Sequence, residues 1–184
     1  MTSSRAIPIA TAPNLRELGG LPVEGGTFRN GEVFRSAELI GLDDQGRAAV
    51  AQLGITTVFD LRTAAERTNA PETLSDGIRT IVLDVLADSS DDAAALGSST
   101  ELFNDPAVAE QILGDGKAHE LMIGSYKDII LLPSALSSYL AFLLELVDPA
   151  RSGAVLFHCT TGKDRTGWAA ALILSLLGAS QDTI

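Results

Sequence analysis

Residues 154–177 constrain the fold of this chain more than any other stretch. Ala154-Val155-Leu156-Phe157 is a short apolar run of the kind that forms a buried strand. A polar, glycine-containing segment follows, His158-Cys159-Thr160-Thr161-Gly162-Lys163-Asp164-Arg165-Thr166-Gly167. Trp168 to Leu177 then reads as a strongly apolar helix, with Gly178 as its stop. A helix that apolar needs cover on nearly all sides, and few residues follow it. The sequence therefore predicts a helix layered on a sheet, in a fold that lacks some C-terminal helices.

Upstream, strands and helices alternate. Thr27-Phe28 and Glu32 to Arg35 read as short strands between the glycine turns Gly19-Gly20, Gly25-Gly26 and Asn30-Gly31. Asp43 to Leu53 has helical spacing and is stopped by Gly54. The β-branched run Ile55 to Phe59 ends in Asp60-Leu61-Arg62, Thr63 to Arg67 is a short helical piece, and Ile78 to Val85 is another strand candidate. Glu120 to Leu131 and Ser134 to Val147 read as helices; in the second, Leu136, Leu140, Leu143, Leu144 and Val147 fall on one face. The pattern predicts an α/β fold, a central and mostly parallel sheet flanked by helices, as one domain over residues 1–184. Residues 88–117, rich in Asp, Ser, Ala and Gly, are expected to be a variable insertion or a mobile lid, with one short helix over Pro106 to Leu113.

Charge and cysteine usage exclude several function classes. Against 24 Asp and Glu stand 13 Lys and Arg, a net charge of -11, which disfavours nucleic acid and anionic membrane as partners. One cysteine and two histidines leave no disulfide framework and no His- or Cys-rich metal centre. Met1 to Asn14 lacks the apolar core of a signal peptide, and the longest uncharged apolar run, 168–179, is shorter than the ~18 residues of a membrane span. A lone thiol suits a reducing compartment, so a cytoplasmic location without stable membrane insertion is expected.

The segment between strand and helix carries chemistry. Cys159 and Arg165 are separated by five residues, in a loop that enters a helix N-terminus. Such a loop aims backbone N–H groups at one point, where the helix dipole adds positive potential, and an oxyanion fits there. The same field favours a thiolate. Arginine has a planar fork of donors that matches two phosphate oxygens. A thiolate beneath a bound phosphate, with arginine on the equatorial oxygens, transfers a phosphoryl group without a metal or other cofactor. A nucleotide-binding Walker A reading of Gly162-Lys163 fails, because Asp164 stands where Ser or Thr is needed and Phe157 where the first Gly is needed.

The string HCTTGKDRTG resembles the HC-x5-R-[ST] signature of the protein-tyrosine-phosphatase superfamily, and its GKDRTG form is similar to the atypical bacterial enzymes with dual-specificity and lipid-phosphatase activity. Asn14 to Gly20 with Val33 to Ala37, and Leu53-Gly54-Ile55 to Asp60-Leu61-Arg62, resemble that branch's N-terminal patterns. The resemblance spans residues 14–180 and is weak over 88–117. It implies that Cys159 is the nucleophile and Arg165 binds the phosphate. The cradle would come from the backbone of Thr160, Thr161, Gly162, Lys163 and its neighbours up to Arg165. Thr166 would donate to the Cys159 sulfur, His158 would orient the loop, and Gly162 and Gly167 would allow its turn and packing. The implied substrates are phosphotyrosine proteins, with phosphoserine, phosphothreonine and phosphoinositides in addition.

The general acid is open at this level. The chain has one Trp, Trp168, and so no WPD sequence, the motif from which many tyrosine phosphatases supply the acid. Asp60, at the end of a strand, and Asp164, inside the loop, are the candidates, with Asp84 and Asp88 behind them. The alternative role for Asp60 is an ion pair with Arg16 or Arg35. Lys163 adds a second cation, which suits a highly charged substrate unless it pairs with Asp164, and Tyr126 is a candidate pocket wall. The competing function is a phosphate-binding module without turnover; sulfur or arsenate chemistry on a related loop is disfavoured by the long match.

Overall fold

A computed structural model of the chain describes residues 5–89, 110 and 114–184. The helix expected over Pro106 to Leu113 and most of the 88–117 segment lie outside the described residues. The strands are β1 (Arg16–Glu17), β2 (Pro22–Val23), β3 (Gly26–Thr27), β4 (Val33–Ser36), β5 (Ile55–Asp60), β6 (Arg79–Val82) and β7 (Ala154–His158). The helices are α1 (Asp44–Gln52), α2 (Ala64–Asn69), α3 (Lys117–Leu131), α4 (Pro133–Val147) and α5 (Asp164–Leu176). Five strands form one sheet in the order β1-β4-β7-β5-β6. The pairs β4–β7, β7–β5 and β5–β6 are parallel, and β1 runs antiparallel on the edge. The expected α/β architecture is what forms.

The central strand β7 is buried at every position. Alternation along it divides the core. Val155, Phe157 and Cys159 face one layer with Phe59, Tyr139, Phe142 and Ile173, beneath α4 and α5. Ala154 and Leu156 face the other with Phe34, Val50 and Val58, beneath α1. Phe142 anchors α4 by packing on Phe59 and Phe157, with ring centroids 5.0 and 5.1 Å apart. Local signals set the helix ends. Asp43 caps α1 by accepting from the Gly46 N–H, and Gly54 follows in the left-handed region. Thr63 and Glu66 form a reciprocal capping box on α2.

Helix α4 turns a different stripe inward from the one shared by its leucines. Ala135, Ser138, Tyr139 and Phe142 are buried, whereas Leu136, Leu140, Leu144 and Val147 are 57, 58, 59 and 75% exposed. The helix is apolar nearly all round, so periodicity does not select its face; the aromatic contact with Phe59 and Phe157 does. Helix α5 begins at Asp164, inside the motif rather than at Trp168. Among the described residues no single helix is long and apolar enough to cross a membrane.

Candidate active site

Cys159 follows β7 and is buried at the base of the loop that runs into α5. Three successive carbonyls of this loop are held from outside it, and the fourth, Lys163 O, makes the first hydrogen bond of α5. Thr160 O accepts from the Glu38 N–H at 3.1 Å, and Lys163 O from the Gly167 N–H at 2.7 Å. Asn14 Nδ2 donates to Thr161 O at 3.3 Å and to Gly162 O at 3.0 Å, and Arg35 Nη2 donates to Gly162 O at 2.9 Å. In a trans peptide the N–H of the next residue points opposite to the carbonyl. Pinning the carbonyls outward therefore turns the N–H groups of residues 161–164 inward, toward one point above Cys159. Helix α5 has no side-chain cap at its N-terminus, so its dipole and free N–H groups add to the same point.

Gly162 makes the turn possible. It has φ +68°, and a Cβ there would sit 2.3 Å from Ser36 O. Both the backbone conformation and the contact forbid a side chain. Gly162→Ala is expected to lower stability by about 2–4 kcal/mol, since a strained φ and a backbone clash add. It should also weaken phosphate binding, read by thermal unfolding with and without phosphate.

Arg165 is held by a residue absent from the sequence-based list. Its Nη1 and Nη2 each donate to a different oxygen of Glu66 at 2.7 Å. Glu66 also accepts from Thr160 Oγ1 at 2.5 Å and from the Thr63 N–H at 2.8 Å. Burial pushes the Glu66 carboxyl up, but the hydrogen bonds and charge of Arg165, with those of Thr160 and Thr63, outweigh it and bring it to about 2. The guanidinium is thus fixed beside the cradle by a bidentate pair. The sequence signal was the capping box Thr63-x-x-Glu66, which marks a helix start but does not show where the carboxylate reaches next.

Asp60 is committed elsewhere. It accepts from Arg62 Nε at 3.0 Å, from Arg62 Nη2 at 2.8 Å and from the Arg62 N–H at 2.9 Å. Arg62, itself 1% exposed, also reaches Glu38 Oε2 at 3.1 Å, Ala70 O at 2.9 Å and Glu72 Oε2 at 3.3 Å. Burial works against the Arg62 charge, yet the bonds and field of Asp60, Glu72 and Glu38 hold its proton more firmly than usual. His158 Nε2 lies 3.3 Å from Glu72 Oε2, beside this network but without a hydrogen bond to it among the described residues. The ion pair of Asp60 is therefore with Arg62, not with Arg16 or Arg35. Ligand atoms of Asp60, Glu72 and His158 lie within 4.8 Å of one another, but Arg62 bridges the two carboxylates. Asp84 accepts from the Ala64 and Leu86 N–H groups, and Asp88 from the Ser134 N–H at the start of α4.

Asp164 heads α5 and accepts from Tyr126 Oη at 2.5 Å. Lys163 beside it is exposed and in no ion pair among the described residues, so it does not pair with Asp164. The Thr166 hydroxyl is buried and makes no hydrogen bond among the described residues, including to the Cys159 sulfur. Gly167 lies in the first turn of α5, with a Cβ position 3.8 Å from Arg35 Nη2. Tyr139 closes the cradle from α4 and donates to Arg165 O at 3.3 Å, and burial raises its phenol well above the usual value.

A buried cysteine thus lies at the base of a loop that follows a strand of the parallel sheet, with a clamped arginine in the first turn of the helix after it. Residues 7–184 match the tyrosine phosphatase family, and the chain belongs to that family. It is 36% identical over 168 residues to the triple specificity protein phosphatase PtpB of Mycobacterium tuberculosis, covering 85% of this chain and 59% of that protein. It is 30% identical to a putative tyrosine-protein phosphatase of Cupriavidus necator (95% of this chain, 58% of that protein). It is also 30% identical to a tyrosine-protein phosphatase of Nostoc commune (82% and 45%). The chain thus spans between 45 and 59% of the length of these relatives.

Proposed function

We propose that this chain is a phosphatase that hydrolyses phosphotyrosine through a cysteinyl-phosphate, without metal assistance. The observation that carries the reading is the run of carbonyls after Cys159, three held from outside the loop and the fourth by α5. In the first step Cys159 Sγ attacks phosphorus, the bond to the ester oxygen breaks, and that oxygen takes a proton from Asp164. In the second, water attacks phosphorus, gives a proton back to Asp164, and the P–S bond breaks to return the thiolate. Arg165 and the loop N–H groups hold the equatorial oxygens throughout. Thr166, a buried hydroxyl with its donor unused, is suited to receive the departing sulfur. His158, fully buried beside Glu72 and with Nδ1 3.3 Å from Cys159 O, sets the loop's base.

Asp164 is preferred as the acid because it lies on the loop and keeps one oxygen clear of Tyr126. Asp60 is preferred as scaffold, since its carboxylate is saturated by Arg62. Lys163 extends the substrate range to more highly charged esters, phosphoinositides among them, beside phosphoserine and phosphothreonine. The nucleophile requires a reduced thiol, which suits a reducing compartment.

Phosphate release from a phosphotyrosine peptide in EDTA, with acid-quench trapping of label on the protein, tests the reading. Release with label trapped on Cys159 supports it; binding without release would make the chain a phosphate-binding module. Asp164→Asn is expected to lower kcat about 10²–10³-fold on a phosphotyrosine peptide. The loss should shrink on an ester whose leaving group needs no proton, such as p-nitrophenyl phosphate. If Asp60→Asn gives that selective pattern instead, the two aspartates exchange roles.

A further inference from the structure

The charges around Cys159 do not all act alike. Those facing it are Arg165 of α5, Tyr139 of α4 and Arg35 of β4, with His158 next to it at the end of β7. The Arg165 charge is offset at 2.7 Å by Glu66. His158 faces Glu72, and Tyr139 is a neutral phenol. Arg35 differs: it is half-buried, its Nε is buried without a hydrogen-bond partner, and it is in no ion pair among the described residues. Among the described residues its one side-chain hydrogen bond is to Gly162 O, on the loop itself.

Its neighbour makes the arrangement costlier. Arg16 and Arg35 are partners across the antiparallel β1–β4 pair, which puts both guanidinium groups on one face. Arg16 bonds to Asn14 Oδ1 at 2.5 Å and is likewise in no ion pair among the described residues. Burial and the Arg16 charge loosen the Arg35 proton, whereas attraction to Cys159 tightens it. A cation without a counter-ion, facing a like charge in a chain of net charge -11, recovers free energy only when a negative charge forms nearby.

We propose that Arg35 is a positioning residue for the nucleophile: it is the uncompensated cation that holds Cys159 as the thiolate before substrate arrives, while its bond to Gly162 O keeps the cradle open. The proposal rests on Cys159 being the nucleophile. It separates two roles among the arginines, with Arg165 clamped for the phosphate and Arg35 free for the sulfur.

The chain has one cysteine, so alkylation by iodoacetamide, followed by mass spectrometry across pH 5 to 10, reports on Cys159 alone. Arg35→Met is expected to slow alkylation at pH 6 about tenfold and to leave the rate at pH 10 unchanged, with Arg35→Lys restoring most of the pH 6 rate. Arg16→Glu is the second probe: on an exposed edge strand it sets a carboxylate opposite Arg35, cancelling the charge while Arg35 keeps its bond to Gly162 O, and should also slow alkylation at pH 6; Arg16→Met, which loses the same bond to Asn14 but adds no charge, is its control and should not. Equal pH 6 rates in the parent and Arg16→Glu, whether or not Arg35→Met folds, would overturn the proposal. A parent thiol no faster at pH 6 than free cysteine would overturn the nucleophile reading and this one with it.

Discussion

Cys159→Ser is expected to abolish turnover, with kcat falling at least about 10⁴-fold, while phosphate binding survives. The size follows from losing the only nucleophile: a serine hydroxyl here has no base to take its proton, and groups acting as a unit fail together. His158 is not available for that task, because its Nε2 faces Glu72 in a buried network. Binding survives because the cradle is backbone. The donors are N–H groups of a backbone held by Asn14, Arg35, Glu38 and Gly167, and none of those bonds uses the Cys159 side chain. Exchanging the sulfur for a hydroxyl leaves those backbone donors in place, so affinity should hold. Isothermal titration with phosphate and a phosphotyrosine peptide, beside single-turnover release, separates the two effects. A variant that retained a hundredth of the turnover would place the nucleophile elsewhere, and one that lost binding as well would mean that the sulfur, not the backbone, organises the loop.

How far the sequence reached depends on whether a residue acts through its neighbours in the chain or across space. The strand, loop and helix from Ala154 to Leu176 were legible because the apolar run, the glycines and the spacing of Cys159 and Arg165 are all local. So was the α/β order, and the class of site with it. The pairing of Asp60 with Arg62 was legible in principle: residues two apart at a strand end point to one side. Their choice of each other over Arg16 or Arg35 depends on burial, which periodicity does not report. Glu66 and Asn14 lay beyond reach for the same reason. Glu66 has a capping box and Asn14 opens the Asn14 to Gly20 pattern, yet each does its work on a loop about a hundred residues away or more. The face of α4 failed differently, since a helix apolar on every side carries no phase.

Arg165→Ala is expected to cost about 10³–10⁵-fold in kcat/KM, more than the loss of two hydrogen bonds to phosphate explains. The excess comes from Glu66. With Arg165 present the pair is neutral and both oxygens are occupied. Remove it, and a carboxylate is left beside the cradle, repelling the dianion that must enter. Glu66→Gln in the same background removes that charge and should return part of the loss, so the double variant exceeds the single one; a double variant no better than Arg165→Ala alone would mean Glu66 acts only by orienting Arg165. Arg165→Lys keeps the charge but not the fork, and falls between. The pair also predicts a pH signature. The Glu66 carboxyl is depressed from 4.5 to about 2 in the fold. The stability it contributes is therefore complete above its unfolded value and fades as pH falls from about 5 toward 2. Arg165→Ala removes the main cause of the depression, so the parent and the variant should differ in stability at pH 7 and converge near pH 2. Urea unfolding at both pH values measures this. A difference that persisted undiminished at the lower pH would mean that Arg165 stabilises the fold by packing rather than by its charge.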